Sequence, residues 1–180
     1  GKSTLLTIIG GLQSPTSGCV LVNDQVIDVQ KQQDSDAFRL NQVGFVLQSH
    51  SLVPFLTVQQ QFDLVDHVKK SGNLAPAQFQ HYLAVLGIDD LLNKYPSALS
   101  GGQAQRVAIA RALYADPDFI LADEPTAALD SDRVQKVGAL FRQIAVEQQK
   151  AVVVVTHDLR LKQYADHIYT IEDGHIQQEK

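Results

Sequence analysis

The sequence predicts an α/β fold with a mostly parallel sheet flanked by helices and an inserted helical region. Three observations predict it. Val43-Gly44-Phe45-Val46-Leu47, Phe119-Ile120-Leu121-Ala122 and Val152-Val153-Val154-Val155 are short apolar runs of the buried-strand kind. Each delivers polar residues at its C-terminal end: Gln48, then Asp123 with Glu124, then Thr156 with His157. Between Thr57 and Leu99 the apolar residues keep helical spacing instead, so that stretch reads as all-helical.

A chain of 180 residues has room for one domain with a real core, or for a core with a small helical subdomain attached. Hydrophobic residues at 44% and charged residues at 19% fit an ordinary soluble globular protein. No apolar run approaches the roughly 18 residues a membrane span requires, so membrane association is expected only through a partner. A formal net charge of −5 without a lysine or arginine block argues against nucleic acid as a partner. The single cysteine, Cys19, excludes an intrachain disulfide and a cysteine-built metal site.

Taken in order, Gly1-Lys2-Ser3-Thr4 matches the last four positions of the phosphate-binding loop G-x-x-x-x-G-K-[ST]. The chain has no methionine and begins inside this motif, so it reads as a fragment that has lost its N-terminus. Ser3 to Ile9 reads as a short helix stopped by Gly10-Gly11. Cys19 to Val22 and Gln25 to Ile27 around Asn23-Asp24 read as a hairpin, followed by a polar stretch to Asn41 with a short helix. Thr57 to about Lys70 is a helix, Pro76 opens another, and Pro96 is expected to stop a short apolar helix around Leu91-Leu92.

Leu99-Ser100-Gly101-Gly102-Gln103 then precedes an alanine-rich helical run to Ala115. Two adjacent glycines are an odd way to begin a helix, because each costs about 1 kcal/mol relative to alanine. Missing side chains, the Ser100 hydroxyl and free N–H groups suit an anionic phosphate. Ser100 as an ordinary helix N-cap is the alternative for this stretch taken alone. Further on, Ser131 is expected to cap a helix covering the sheet, and the four valines before Thr156 predict a central strand. Ile168 to Ile171 and His175 to Gln177 form a closing hairpin around Asp173-Gly174.

In this order the motifs resemble the nucleotide-binding subunit of an ATP-binding cassette (ABC) transporter. The resemblance covers nearly the whole chain and implies a P-loop NTPase fold with the ABC-type helical subdomain. It divides residues 1–180 into a helical subdomain at about 50–98 and the signature helix with the rest of the catalytic core at 99–180. It also implies that the N-terminal strands and the first half of the P-loop precede Gly1.

For the site, the resemblance implies ATP and Mg²⁺. Gly1, Lys2, Ser3 and Thr4 would cradle the phosphates, with Ser3, Gln48 and Asp123 around the metal. Glu124 would be the general base, Gln48 would help hold the attacking water, and His157 would touch the γ-phosphate. Ser100, Gly101, Gly102 and Gln103, with Asp130 of Pro125-Thr126-Ala127-Ala128-Leu129-Asp130, would act on nucleotide held by a second copy, bound head to tail. Ser49 to Thr57 would couple Gln48 to a transmembrane permease.

The implied function is ATP hydrolysis at the cytoplasmic face of a bacterial membrane, driving export. Leu52-Val53-Pro54-Phe55-Leu56 and Lys94-Tyr95-Pro96 look most like the branch of lipoprotein-release, macrolide-efflux and haem (hemin) transport ATPases. The alternative is an ABC ATPase without a permease, acting in DNA repair or on ribosomes. Those types carry long coiled coils or tandem cassettes, and neither occurs in this sequence.

Overall fold

The computed structural model describes residues 1–27 and 31–179. Helix α1 spans Lys2–Ile9, and strands β1 (Val20–Val22) and β2 (Gln25–Ile27) pair antiparallel. Their turn places both Asn23 and Asp24 at positive φ, as a two-residue hairpin turn matching the strand twist requires. Residues 28–30 of the polar stretch lie outside the described residues; the helix expected there is α2, Gln32–Gln42, which runs straight into β3, Val43–Val46.

Helices α3 (Val58–Val68) and α4 (Pro76–Leu86) follow, then two 3₁₀ turns, Asp89–Leu91 and Pro96–Ala98. Pro96 therefore opens a turn rather than stopping a helix. Its fixed φ and missing N–H suit a first helical position as well as a termination. The remaining elements are α5 (Gly101–Tyr114), β4 (Phe119–Asp123), α6 (Ser131–Glu147), β5 (Ala151–Val155), a 3₁₀ turn at Leu159–Tyr164, and the closing hairpin β6 (Tyr169–Glu172) and β7 (His175–Gln178).

Strands β3, β4 and β5 form a parallel sheet in that order. Period-2 alternation sends their side chains into two cores. Val46, Ile120 and Ala122, with half-buried Val152 and Val154, face the larger core, built with α3, α4, α5 and α6. Val43 and Leu121, with Phe45, Phe119 and Val155, face a smaller one built with Leu6 of α1 and Phe38 of α2. Helices on both faces explain why these strands read as continuous apolar runs.

Among the described residues β4 is the middle of the three strands, and β5 pairs with β4. Val153 is 38% exposed, whereas Ile120, Leu121 and Ala122 of β4 are buried.

The apolar stretch at 52–56 divides between two fates. Leu52 packs against the larger core, while Phe55 is 76% exposed. Buried Gln61 fixes the loop between them, accepting from Val53 N at 3.1 Å and donating to Val53 O at 2.8 Å and Leu56 O at 3.2 Å.

Candidate nucleotide site

Parallel strands in one register finish together, so their C-terminal ends form a common edge where α/β folds place ligands. Asp123, the last residue of β4, lies opposite Val155, the last of β5. Glu124 continues the ladder, its N–H donating to Val155 O at 2.8 Å, and then turns away at φ +48°. Its carboxylate faces the end of β5: Oε2 accepts from Thr156 Oγ1 at 2.9 Å and Oε1 from His157 N at 3.0 Å.

The His157 ring is 80% exposed, with Nε2 3.9 Å from Glu124 Oε1. Lys2 reaches the same ring from the first turn of α1, its Nζ 3.1 Å from Nε2 and 3.4 Å from Nδ1. An ammonium has only donors, so in this contact the ring nitrogen is the acceptor. Three predicted site residues, Lys2, Glu124 and His157, thus meet although they are far apart in sequence. Gly1 is the N-cap of α1, and Ser3 and Thr4 are exposed on its first turn.

Asp123 is 9% exposed, and no side-chain donor contacts its carboxylate among the described residues. Gln48 lies exposed two residues beyond β3. The loop after it is tied to α5. Arg111 Nη1 donates to Ser51 O at 2.8 Å and Nη2 to His50 O at 3.3 Å, while His50 Nε2 donates to Gln105 Oε1 at 2.9 Å. His50 and Ser51 both hold positive φ, a conformation that needs such support.

The glycine-containing stretch caps α5. Ser100 Oγ accepts from Gln103 N at 3.2 Å, and Gln103 Oε1 accepts from Ser100 N at 2.9 Å, a complete capping box. The Ser100 hydroxyl keeps its proton for another acceptor. A Cβ at Gly102 would stand 2.8 Å from Ala128 O, so the chain's own backbone supplies the close approach there; exposed Gly101 has only Ala128 Cβ nearby, at 3.8 Å. Ser100 to Gln103 share no hydrogen bond with Lys2, Gln48, Glu124 or His157 among the described residues.

Asp130 rather than Ser131 caps α6, its Oδ1 accepting from Arg133 N at 2.9 Å; Ser131 is the first helical residue. Both residue types cap well, and the turn from Pro125 to Leu129 decides which one takes the extended backbone of the cap.

Sequence reasoning missed the network behind His157. Arg160 grips Asp158 with two parallel bonds of 2.8 Å, Nε to Oδ1 and Nη2 to Oδ2, and Nη1 donates to Ser131 Oγ at 2.8 Å. Thr126 Oγ1 donates to Asp158 Oδ2 at 3.0 Å. The hydrogen bonds from the Arg160 side chain hold the Asp158 carboxyl below the usual carboxylate range, against the opposing effect of burial. An arginine two residues after an aspartate was the available signal, but sequence spacing does not show that both lie against the loop after β4.

Residues 1–127 match the ABC transporter family. The chain is 48% identical over 180 residues to the "Putative hemin import ATP-binding protein HrtA" of Staphylococcus aureus (strain MRSA252), covering 98% of this chain and 80% of that protein. The dimeric post-hydrolysis state of the ATP-binding cassette MJ0796 bound to ADP and Pi aligns with a TM-score of 0.87 and 36% identity, covering 100% of this chain and 81% of that one. The protein cbiO1 of Clostridium perfringens, part of the ABC transporter complex cbiONQ, aligns with a TM-score of 0.78 and 28% identity over 99% of this chain and 72% of that one.

An ATPase working without a permease is not favoured by these likenesses. Such cassettes form dimers and work with a transmembrane component, which associates the chain with a membrane. No helix among the described residues is long and apolar enough to cross one. The chain is an ATP-binding, ATP-hydrolysing subunit of the ABC transporter family.

Proposed function

We propose that two copies of this chain pair head to tail at the cytoplasmic face of a bacterial membrane and drive a permease, with ATP sandwiched between Lys2 of one copy and Ser100 to Gly102 of the other. The observation that carries this reading is the meeting of Lys2, Glu124 and His157 at the sheet edge, while the capped Ser100 stretch shares no hydrogen bond with them. A second copy reconciles the two halves. In this reading residues about 50–98 form a helical subdomain on the core.

Lys2 binds the β- and γ-phosphates beside the backbone N–H groups of Gly1 to Thr4 at the start of α1. Glu124 accepts a proton from water as the water oxygen bonds to the γ-phosphorus and the bond to ADP breaks, ADP leaving with the electron pair. Gln48 orients that water and His157 contacts the γ-phosphate. Asp130 keeps Oδ2 for the partner's site, and Gln103 acts at that site as well. Ser3, Gln48 and Asp123 offer hydroxyl, amide and carboxylate oxygens, a set suited to Mg²⁺, and among the described residues the buried carboxylate of Asp123 has no competing side-chain donor. Bound with the nucleotide, the metal would neutralise phosphate charge.

Replacing Ser100 or Gly101 should lower hydrolysis while nucleotide affinity of the monomer stays nearly unchanged, and Lys2→Ala should weaken affinity itself. Equal loss of monomer affinity in both kinds of variant, measured by calorimetry, would remove the composite site.

The likeness to a hemin relative suggests hemin as the permease's cargo. The branch resemblance points to export, whereas that relative's name says import; the ATPase residues serve either direction, and hemin flux into or out of vesicles holding the complex decides it. Exposed Phe55 is the proposed permease contact. Phe55→Asp should abolish transport while basal ATPase and helical circular dichroism persist. Transport at the normal rate would free Phe55 of that role.

A further inference from the structure

Glu124 holds φ +48°, a backbone conformation that a non-glycine residue keeps only where its surroundings over-determine it. The surroundings are the end of β5. Both carboxylate oxygens are already hydrogen-bonded, one by the Thr156 hydroxyl and one by the His157 amide, and the side chain is only 17% exposed. The Thr156 hydroxyl is fixed in turn: Asp158 N donates to its Oγ1 at 2.9 Å, so its single proton points to Glu124.

Asp158 is itself anchored. Its carboxylate takes the two bonds from Arg160 and one from Thr126, and Arg160 also holds Ser131 at the start of α6. The turn carrying Thr156 is therefore bolted to the loop after β4 on which Glu124 sits. Glu124 cannot rotate without breaking bonds that run through this network.

We infer that Thr156 is a positioning residue for hydrolysis: its hydroxyl, oriented by the Asp158 amide, aims the Glu124 carboxylate so that an unoccupied lone pair meets the attacking water. The inference rests on the reading of Glu124 as the general base. His157 N bonds Glu124 through the backbone whatever side chain stands at 157, so Thr156 supplies the only side-chain bond that Glu124 receives among the described residues.

The test is steady-state ATP hydrolysis by the full chain as a dimer, comparing Thr156→Val, Thr156→Ser and Glu124→Gln. Thr156→Val keeps the shape and removes the hydroxyl. It should lower kcat by about 10- to 100-fold, the scale on which small misplacements of a reacting group act. KM for ATP should stay within about twofold, since ground-state binding is untouched. Thr156→Ser should restore kcat to near the parent value, because it returns the hydroxyl and not the methyl. Unchanged kcat in Thr156→Val, or a loss that Thr156→Ser does not rescue, would overturn the inference while Glu124→Gln remains inactive. Normal turnover in Glu124→Gln would instead overturn the general-base reading. Should Thr156→Val fail to fold, Thr156→Ala with the same serine rescue carries the test.

Discussion

Glu124→Gln should bind ATP nearly as well as the parent and hydrolyse it about 10²- to 10⁴-fold more slowly, the range expected for losing a general base. Glutamine is nearly isosteric but cannot take the proton. The structure adds a reason for disturbed geometry. Both oxygens of Glu124 accept, one from Thr156 and one from His157, whereas an amide offers one acceptor and one donor group. The amide oxygen can keep the bond from His157 N while the amide NH₂ donates to the remaining lone pair of the Thr156 hydroxyl, so that bond reverses direction and the fold should survive. An ATP-stabilised dimer should accumulate and appear in size-exclusion chromatography. Turnover close to that of the parent would remove Glu124 from its role.

The second large effect is on stability, at the junction of β3 and α5. A Cβ at Gly44 would lie 2.6 Å from Ala112 O and 2.8 Å from Pro117 Cγ. The first of these belongs to the backbone of α5 and the second to a rigid ring, so neither can swing aside. Gly44→Val should therefore push α5 off β3 and cost about 3 kcal/mol, the upper part of the usual range for overpacking. For a chain of this size that lowers the melting temperature by roughly 6–12 °C. Because α5 carries the Ser100 cap at one end and Arg111 holds the loop after Gln48, hydrolysis should fall as well. A thermal melt by circular dichroism unchanged from the parent would show that α5 can shift freely against the sheet.

The strands ending at Gln48, Asp123 and His157 were legible because burial on both faces of a parallel sheet forces unbroken apolar runs, and a run ends where solvent or ligand begins. Both hairpins were legible in Asn23-Asp24 and Asp173-Gly174, whose residues tolerate the positive φ that a two-residue turn demands. Ser100 and Gln103 likewise carried the capping box in their spacing, and that box is present. These are local signals, set by one residue's conformational preference or by the period of a single element.

Features that depend on which segments become neighbours were not legible. Valines at 152–155 specify an extended strand but not which strand pairs with it, because nothing in β5 names β4 as its neighbour. The reason for Gly102 lies in Ala128, a residue after the next strand, and the choice of Asp130 over Ser131 as cap follows from how that same loop enters α6.

The sequence by itself determined the α/β class and the helical stretch between Thr57 and Leu99, and it supplied the side chains proposed for phosphate transfer, since periodicity and side-chain chemistry are properties of the residues themselves. Only the tertiary structure decided that Lys2 and His157 come within hydrogen-bonding distance, and that Thr156 and Asp158 stand behind Glu124 as its support. The physical reason is register: parallel pairing of β4 with β5 aligns Asp123 with Val155, and the residues after each strand then have no choice but to share one edge.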